Sequence, residues 1–229
     1  MTRQPVVYWP LARPFLAVAI LAAVVLVALL QVGIVTYAFR RLGIGPDWAT
    51  VVLLVSLLGG AVNLPVARLR GGLIPVSRSV TVFGIRYLVP VLAHRDTIIA
   101  VNVGGALVPA ALSGYLIAHD GLGWRALAAV AAVGALVYLV ARPVPGLGIA
   151  VPTLLPGACA VLVAILLHPA ALAGLAYVGG TLGTLAGADL ANLPKVRRLG
   201  APVVSIGGAG TFDGVFITGI IAVLLAGFI

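Results

Sequence analysis

Long apolar runs separated by short polar stretches are the dominant pattern along the chain. A helix of about 20 residues crosses the hydrocarbon core of a membrane, and seven runs approach or exceed that length. The runs cover residues 15–39, 49–66, 97–118, 124–141, 147–167, 170–190 and 206–229. The pattern predicts one all-α integral membrane domain over residues 1–229, built as a bundle of about seven transmembrane helices.

The composition agrees with lipid as the main solvent. Hydrophobic residues make up 62% of the chain and charged residues 8%, whereas a soluble domain carries roughly 25% charged residues. The formal net charge of +9 does not indicate a nucleic-acid partner, because the basic residues lie between apolar runs and are not grouped in a polar domain. Membrane lipid is the expected partner.

The basic residues also predict an orientation. With the N-terminus in the cytoplasm, 11 of the 14 basic residues fall in cytoplasmic segments, and only Arg40, Arg41 and Arg125 fall on the other side. Cytoplasmic loops of membrane proteins carry such an excess of basic residues. We therefore predict a multi-pass protein of the inner or plasma membrane with a cytoplasmic N-terminus.

The predicted cytoplasmic loop at 68–96 has a β-like pattern. Residues 77–87 are rich in β-branched side chains with an imperfect alternation of apolar and polar positions, which favours a short hairpin near 73–92 at the membrane surface. The alternative is an interfacial or re-entrant segment. A full crossing is disfavoured because it would bury the charges of Arg78 and Arg86.

The sequence indicates no metal site and no cofactor. The single cysteine, Cys159, lies in an apolar run and reads as a small core residue. The three histidines show no ligand spacing. Nucleotide-binding glycine motifs and the motifs of serine, cysteine and metal hydrolases are absent from the sequence.

Two acidic residues stand apart from the rest. The chain has five acids, and Asp47, Asp96 and Asp120 lie at helix ends or in loops, where a capping or solvated role is expected. Asp189 and Asp213 lie inside the sixth and seventh predicted helices. Burial of an ionised side chain there costs about 2.5–3.5 kcal/mol, so such a residue is a candidate for function.

The two acids fall on antiparallel helices, in the cytoplasmic part of the membrane. Two carboxyls that share a poorly hydrated site would hold one proton between them. One would then act as a general base on a water molecule and the other as a general acid. Structural roles remain open for both: Asp189 at the membrane interface, and Asp213 on helix-start amides or paired with an arginine.

Small and amide residues surround the predicted pair. The glycines allow helices to approach closely or water to enter, and the asparagines either line the cavity of the acids or make interhelical hydrogen bonds. These supporting residues are Gly187, Gly210, Gly214, Asn63, Asn102 and Asn192. In addition, 203–205 is predicted as a short strand able to pair with an extended peptide.

A short internal repeat favours a different function. Asn63-Leu64-Pro65 at the end of the second predicted helix matches Asn192-Leu193-Pro194 at the end of the sixth. A shift by four helices preserves orientation, so the match predicts a parallel duplication, a common origin of transporter folds.

The stretches 187–193 (Gly-Ala-Asp-Leu-Ala-Asn-Leu) and 208–214 (Gly-Ala-Gly-Thr-Phe-Asp-Gly) resemble an uncharacterised family of bacterial and archaeal integral membrane proteins. A more distant resemblance is to the intramembrane aspartyl proteases: the presenilins, signal peptide peptidases and prepilin peptidases. In those enzymes the second acid follows a Gly-x-Gly-Asp motif. Here Gly210 and Asp213 match that motif, and Phe212 replaces its second glycine.

The resemblance implies an intramembrane aspartyl-type hydrolase that cleaves a membrane-embedded peptide with Asp189 and Asp213. The alternative is a proton- or cation-coupled transporter or permease that uses the same acids to bind an ion or small molecule. A third hypothesis is a non-catalytic membrane scaffold.

Overall fold

The computed structural model describes residues 12–69, 73–82, 85–94, 96–144, 148–196, 203–208 and 214–229. Eight α-helices are seen in these residues: α1 (Ala12–Arg41), α2 (Pro46–Gly59), α3 (Val108–His119), α4 (Gly123–Val140), α5 (Leu155–Leu167), α6 (Leu172–Thr184), α7 (Leu193–Val196) and α8 (Gly214–Ala226). Seven strands accompany them: β1 (Asn63–Leu69), β2 (Leu73–Val82), β3 (Ile85–His94), β4 (Thr97–Asn102), β5 (Arg142–Val144), β6 (Gly148–Ala150) and β7 (Val203–Ile206).

Two π-helical segments join these elements. Val103–Leu107 leads from β4 into α3, and Leu185–Leu190 extends α6. The second of these segments, with α6 and a short 3₁₀ turn at Pro169–Ala171, gives a helical path from Pro169 to Lys195 that is interrupted only by a turn before α7.

Within the described part of the chain, three helices are long and apolar enough to cross a membrane, and they indicate a membrane protein. Their apolar windows are Val24–Arg41, Gly123–Val140 and Pro169–Lys195. Four shorter apolar helices are Pro46–Gly59, Val103–His119, Leu155–Leu167 and Gly214–Ala226. The mostly helical prediction is therefore confirmed, whereas the all-α prediction was wrong, because strands interrupt the apolar runs.

The strands shorten four of the seven predicted helices. The run 49–66 is helical only to Gly59, and 97–118 begins as strand β4. The run 147–167 contains β6 before α5, and 206–229 starts at the end of β7. The physical reason is local: Pro65 lacks the backbone N–H that a helix interior needs, and β-branched residues predominate in β4 and β7.

Strands β1, β4 and β7 form a three-stranded sheet in that order. β1 is antiparallel to β4, with Asn63 opposite Asn102, and the register shifts between Pro65 and Ala67. β4 is parallel to β7. Since α2 runs into β1, β4 into α3 and β7 towards α8, one end of the sheet is the place where three helices begin or end.

The predicted hairpin in the 68–96 loop is confirmed. β2 and β3 pair antiparallel over ten residues each, from Leu73 opposite His94 to Val82 opposite Ile85. A second, shorter hairpin joins β5 and β6.

Helix α6 and its π-helical extension lie at the centre of the bundle. Of the apolar window at Pro169–Lys195, 67% is buried, against 28% for the α4 window and 18% for the α1 window. Glycines bring α4 close: a Cβ on Gly187 would stand 2.1 Å from the Gly134 carbonyl oxygen. The segment that carries Asp189 therefore contacts protein on several sides.

The internal repeat does not extend to secondary structure. Asn63-Leu64-Pro65 opens strand β1, whereas Leu193 and Pro194, after Asn192, open helix α7. Identical tripeptides adopt different conformations here because only the first has a strand partner, β4. The predicted duplication of a helical unit is thus wrong at this position.

Candidate functional site

Polar side chains converge at the end of the three-stranded sheet where the helices begin. We call Asn63, Asn102, Asp189, Ser205 and Gly207 the junction cluster. They come from β1, β4, the π-helical extension of α6, β7 and the residue after β7. Sheet register brings three of them together, because Asn63 is opposite Asn102 and Ser205 is opposite Ala100, two residues before Asn102.

Asn102 is the most buried member, with 2% of its surface exposed. Its Oδ1 accepts a hydrogen bond from the Gly105 backbone N–H at 2.8 Å, which caps the start of the π-helical segment. Its Nδ2 donates to the Gly60 carbonyl oxygen at 2.8 Å and to Asn63 Oδ1 at 3.1 Å. The residue thereby ties the end of α2 to the start of α3.

Ser205 and Asn63 form the more accessible part of the cluster. The Ser205 hydroxyl donates to Asn63 Oδ1, which also accepts from Asn102. Asn63 is exposed and Ser205 is half-buried. Strand β7 is thus connected to β1 by a side-chain hydrogen bond across the intervening strand β4.

Asp189 joins the cluster through the backbone. Its Oδ2 accepts a hydrogen bond from the Gly207 N–H at 2.8 Å, and the side chain is half-buried. Among the described residues, Gly207 is the only hydrogen-bond donor to this carboxylate. The second carboxylate oxygen is therefore available to a water molecule or a ligand as far as the described residues go.

Gly207 is required by its conformation and its neighbours. Its φ of +71° is unfavourable for residues with a Cβ, and a Cβ would stand 2.6 Å from Ala106 Cβ. Glycine here turns the chain at the end of β7 so that the backbone N–H faces the Asp189 carboxylate.

The other predicted site residues are distributed differently. Asn192 is fully buried, and its Nδ2 donates to the Gly187 and Ala188 carbonyl oxygens at 2.9 and 3.0 Å. It closes the end of the π-helical extension and is not part of the cluster. Gly187 packs against α4, and Gly214 is exposed at the start of α8.

Two predicted site residues, Asp213 and Gly210, lie outside the described residues. Their described neighbours are Gly208 before them and Gly214 after them. Val215, at the start of α8, packs in a small apolar cluster with Ala106 and Leu185. The start of α8 therefore contacts the same π-helical extension that carries Asp189.

Sequence reasoning did not assign Gly207 to the site, and it identified Ser205 only as part of the short strand predicted at 203–205. The signal for a turn was present in 203–208 (Val-Val-Ser-Ile-Gly-Gly): a β-branched run that ends in two glycines is typical of a strand followed by a tight turn. The turn was not predicted because its glycines merge with the apolar run 206–229.

Replacement of Asn102 by alanine is expected to lower the free energy of unfolding by about 2–3 kcal/mol. The change leaves the half-buried Gly60 carbonyl and the buried Gly105 N–H without their Asn102 partners, and each unsatisfied group costs about 1–3 kcal/mol. The measurement is thermal unfolding in detergent micelles. Asn63→Ala is the matched control, since Asn102 keeps its bonds to Gly60 and Gly105 in that variant. Equal losses in both variants would contradict the assigned role of Asn102.

The described residues contain no group of three or more histidine, cysteine, aspartate or glutamate side chains placed to hold a metal ion. The cluster instead offers amide, hydroxyl and carboxylate groups beside backbone carbonyls. These groups can orient a water molecule, a peptide amide or a small cation.

Comparison with known proteins gives a family and no activity. No curated protein and no solved structure matches the chain significantly. One family model, described as a protein of unknown function (DUF1614), matches residues 57–225, which include every described residue of the junction cluster. The chain therefore belongs to the DUF1614 family.

Proposed function

We propose that this chain is a multi-pass membrane protein with a cytoplasmic N-terminus and acts as an intramembrane aspartyl-type hydrolase. Asp189 and Asp213 form its acid pair, and a membrane-embedded peptide is its substrate. The observation that carries the proposal is the Asp189 carboxylate: it lies half-buried in an apolar helical segment, with a single described donor, beside the end of a strand.

The seven-segment topology is compatible with the short helices. Helix α2 has 14 residues and is about 21 Å long at 1.5 Å per residue, short of the roughly 30 Å hydrocarbon core. Strand β1 follows α2 and extends the chain in the same segment by about 3.3 Å per residue. Helix and strand together complete a crossing, and in this orientation the sheet lies on the cytoplasmic side.

The exposed edge strand β1 of this sheet favours contact with water over contact with hydrocarbon. Strands exposed to hydrocarbon are unfavourable because their edge N–H and C=O groups lack partners, so such strands occur where protein or a water-filled cavity surrounds them. Asn63 and Ser205, which are accessible and polar, support a hydrated cavity at this end of the sheet. Hydrolysis needs water at that place.

The proposed chemistry requires one ionised and one protonated carboxyl. The ionised group takes a proton from water as the water oxygen bonds to the peptide carbonyl carbon, and the protonated group donates its proton to the carbonyl oxygen. In the resulting gem-diol, the carboxyl that took the water proton donates it to the leaving nitrogen as the C–N bond breaks. The other, now ionised, carboxyl takes a proton from a gem-diol hydroxyl, which leaves a carboxylic acid product and restores the starting pair. The Asp189 oxygen that has no donor among the described residues is suited to bind the attacking water.

Strand β7 supports the presentation of a peptide. It pairs with β4 on one side, and no described strand pairs with its other side. An extended peptide can add to such an edge through backbone hydrogen bonds. A peptide on this edge would run towards Gly207, whose N–H binds Asp189.

The test is cleavage in reconstituted vesicles. Single-span peptides are incorporated with the protein, and products are identified by mass spectrometry. We expect cleavage by the natural sequence and none by Asp213→Asn, with unfolding temperatures that agree within error. Cleavage retained in the purified Asp213→Asn variant would refute the acid pair.

A second candidate, ion-coupled transport, is favoured by the broken helices. Four elements interrupted by strands or π-helical segments meet at the junction cluster, and discontinuous helices whose carbonyl oxygens face a cavity coordinate coupling ions in many transporters. The same vesicles distinguish the two functions. Asp189-dependent proton or sodium flux without peptide products would favour transport.

A further inference from the structure

A cavity of about 540 Å³ lies between α2 and α3, beside the turn that joins α1 to α2. Its lining is mostly apolar and includes Trp48 and Val52 of α2 and Leu112 and Tyr115 of α3. The volume is in the usual range for ligand pockets, about 300–1,000 Å³. We call it the α2–α3 cavity.

The α2–α3 cavity is separate from the junction cluster. Trp48 is 11 residues from Gly59, about 16 Å along helix α2, and the cluster begins beyond Gly59. Near the cluster, α2 contacts the π-helical segment before α3, because the Ser56 hydroxyl donates to the Gly104 carbonyl oxygen at 2.7 Å. The cavity lies beyond this contact, along the first half of α2 and from Val108 to Tyr115 of α3.

Aromatic residues place the cavity mouth at the level of the membrane interface. Trp48 is 69% exposed and Tyr115 is 50% exposed. Tryptophan and tyrosine concentrate where lipid headgroups meet the hydrocarbon core. A cavity with an apolar lining at this depth is suited to a hydrocarbon chain that enters from the adjacent leaflet.

A basic residue, Arg40, precedes the cavity lining by three residues. The turn is closed by a hydrogen bond from the Gly43 N–H to the Arg40 carbonyl oxygen at 3.0 Å, and Gly43 lines the cavity. Arg40 is exposed, and no described residue forms a salt bridge or side-chain hydrogen bond with it. Its neighbour Arg41 donates hydrogen bonds to the Tyr37 hydroxyl and the Gly227 carbonyl oxygen.

We infer that the α2–α3 cavity binds one acyl chain of an anionic phospholipid and that Arg40 binds its phosphate. The apolar lining accounts for the acyl chain. The Arg40 guanidinium, which has no partner among the described residues, matches the geometry of phosphate oxygens and accounts for the headgroup. In the proposed orientation Arg40 lies on the side that is depleted of basic residues. A lipid ligand gives a reason for the charge at that position.

The experiment uses Trp48 as a reporter. The variant Trp9→Phe/Trp124→Phe keeps Trp48 as the only tryptophan, and it is reconstituted in vesicles that contain brominated phosphatidylglycerol or brominated phosphatidylcholine. Bromine quenches tryptophan on contact. We expect half-maximal quenching by the anionic lipid at a lipid fraction about fivefold lower than for phosphatidylcholine. One basic residue at a membrane surface contributes a preference of about that size.

Two further variants and one control test whether the preference for the anionic lipid depends on the Arg40 charge and whether quenching depends on the cavity. Arg40→Gln is expected to remove the fivefold difference, and Arg125→Gln, the matched control, to keep it. Ala111→Phe, which fills part of the lining, is expected to reduce quenching by both lipids. Native mass spectrometry of the unaltered protein should show one retained anionic lipid. A smaller fraction of the Arg40→Gln protein should retain that lipid.

Several outcomes would overturn the inference. Equal quenching by the two lipids, or a preference unchanged in Arg40→Gln, would exclude the phosphate site. Absence of quenching by either lipid would mean that a protein segment covers the cavity. The proposed hydrolase activity is measured separately, and its loss in Asp213→Asn is expected to leave Trp48 quenching unchanged.

Discussion

Asp189→Asn is expected to lower the rate of peptide cleavage by at least about a thousandfold. A positioned acid–base group contributes about a hundredfold to ten-thousandfold to such reactions. Asparagine keeps the size of the side chain and an oxygen that can accept the 2.8 Å hydrogen bond from Gly207. It removes only the capacity to take and return a proton, so the fold should remain intact.

The measurement is initial cleavage rate at saturating peptide, together with thermal unfolding of the same preparation. Asp47→Asn is the matched control: this acid lies exposed in the first turn of α2, away from the junction cluster, and should cleave at the normal rate. A rate for Asp189→Asn within tenfold of the natural sequence would exclude Asp189 as a catalytic residue.

Gly104→Ala is expected to have the largest effect on stability. It should lower the free energy of unfolding by about 3 kcal/mol or more, which is at or above the upper end of the usual range for overpacked sites. A Cβ on Gly104 would stand 1.9 Å from the Ser56 carbonyl oxygen and 2.4 Å from the Gly60 nitrogen. Both atoms are backbone, so no side-chain rotation relieves the overlap. The ends of α2 and of the π-helical segment must separate.

The separation should also reduce activity, because the Gly60 carbonyl and Asn102 belong to the same junction. Thermal unfolding and cleavage are measured on the same variant. Gly114→Ala is the matched control on the following helix: a Cβ meets nothing within 4 Å there, and alanine stabilises a helix by about 0.5–1 kcal/mol over glycine. Equal stability of the two variants would show that α2 and α3 are not in close contact at Gly104.

The difference between predicted and observed elements is greatest where apolar runs contain β-branched residues. In 97–102 the run Thr-Ile-Ile-Ala-Val-Asn is as hydrophobic as a membrane helix, and hydropathy alone does not separate strand from helix. Its partners decide the matter, because β1 and β7 satisfy its backbone on both sides. Helix α4 has no such competing partner, and the prediction of 124–141 agrees closely with Gly123–Val140.

The residues of the candidate site also divide into those that the sequence indicated and those that only the structure revealed. Asp189 is conspicuous in the sequence, since an acid inside an apolar run is costly. For Asn63 and Asn102 the sequence left two roles open, in the cavity of the acids or in interhelical hydrogen bonds. The structure brings these three residues to one junction. Gly207 and the side-chain role of Ser205 emerged only from the register of β7 on β4, and Asn192 proved to bind its own helix end.

The sequence by itself determined that this chain is a mostly helical membrane protein, because composition and the length of apolar runs follow directly from the solvent that surrounds them. It also identified a hairpin within 68–96 and the acid at position 189. Only the tertiary structure decided that the apolar runs contain a sheet and that its end gathers Asn63, Asn102, Ser205, Gly207 and Asp189. The reason is physical: the hydrogen-bonded residues of the cluster come from segments up to 142 residues apart, and no local pattern records which segments will meet.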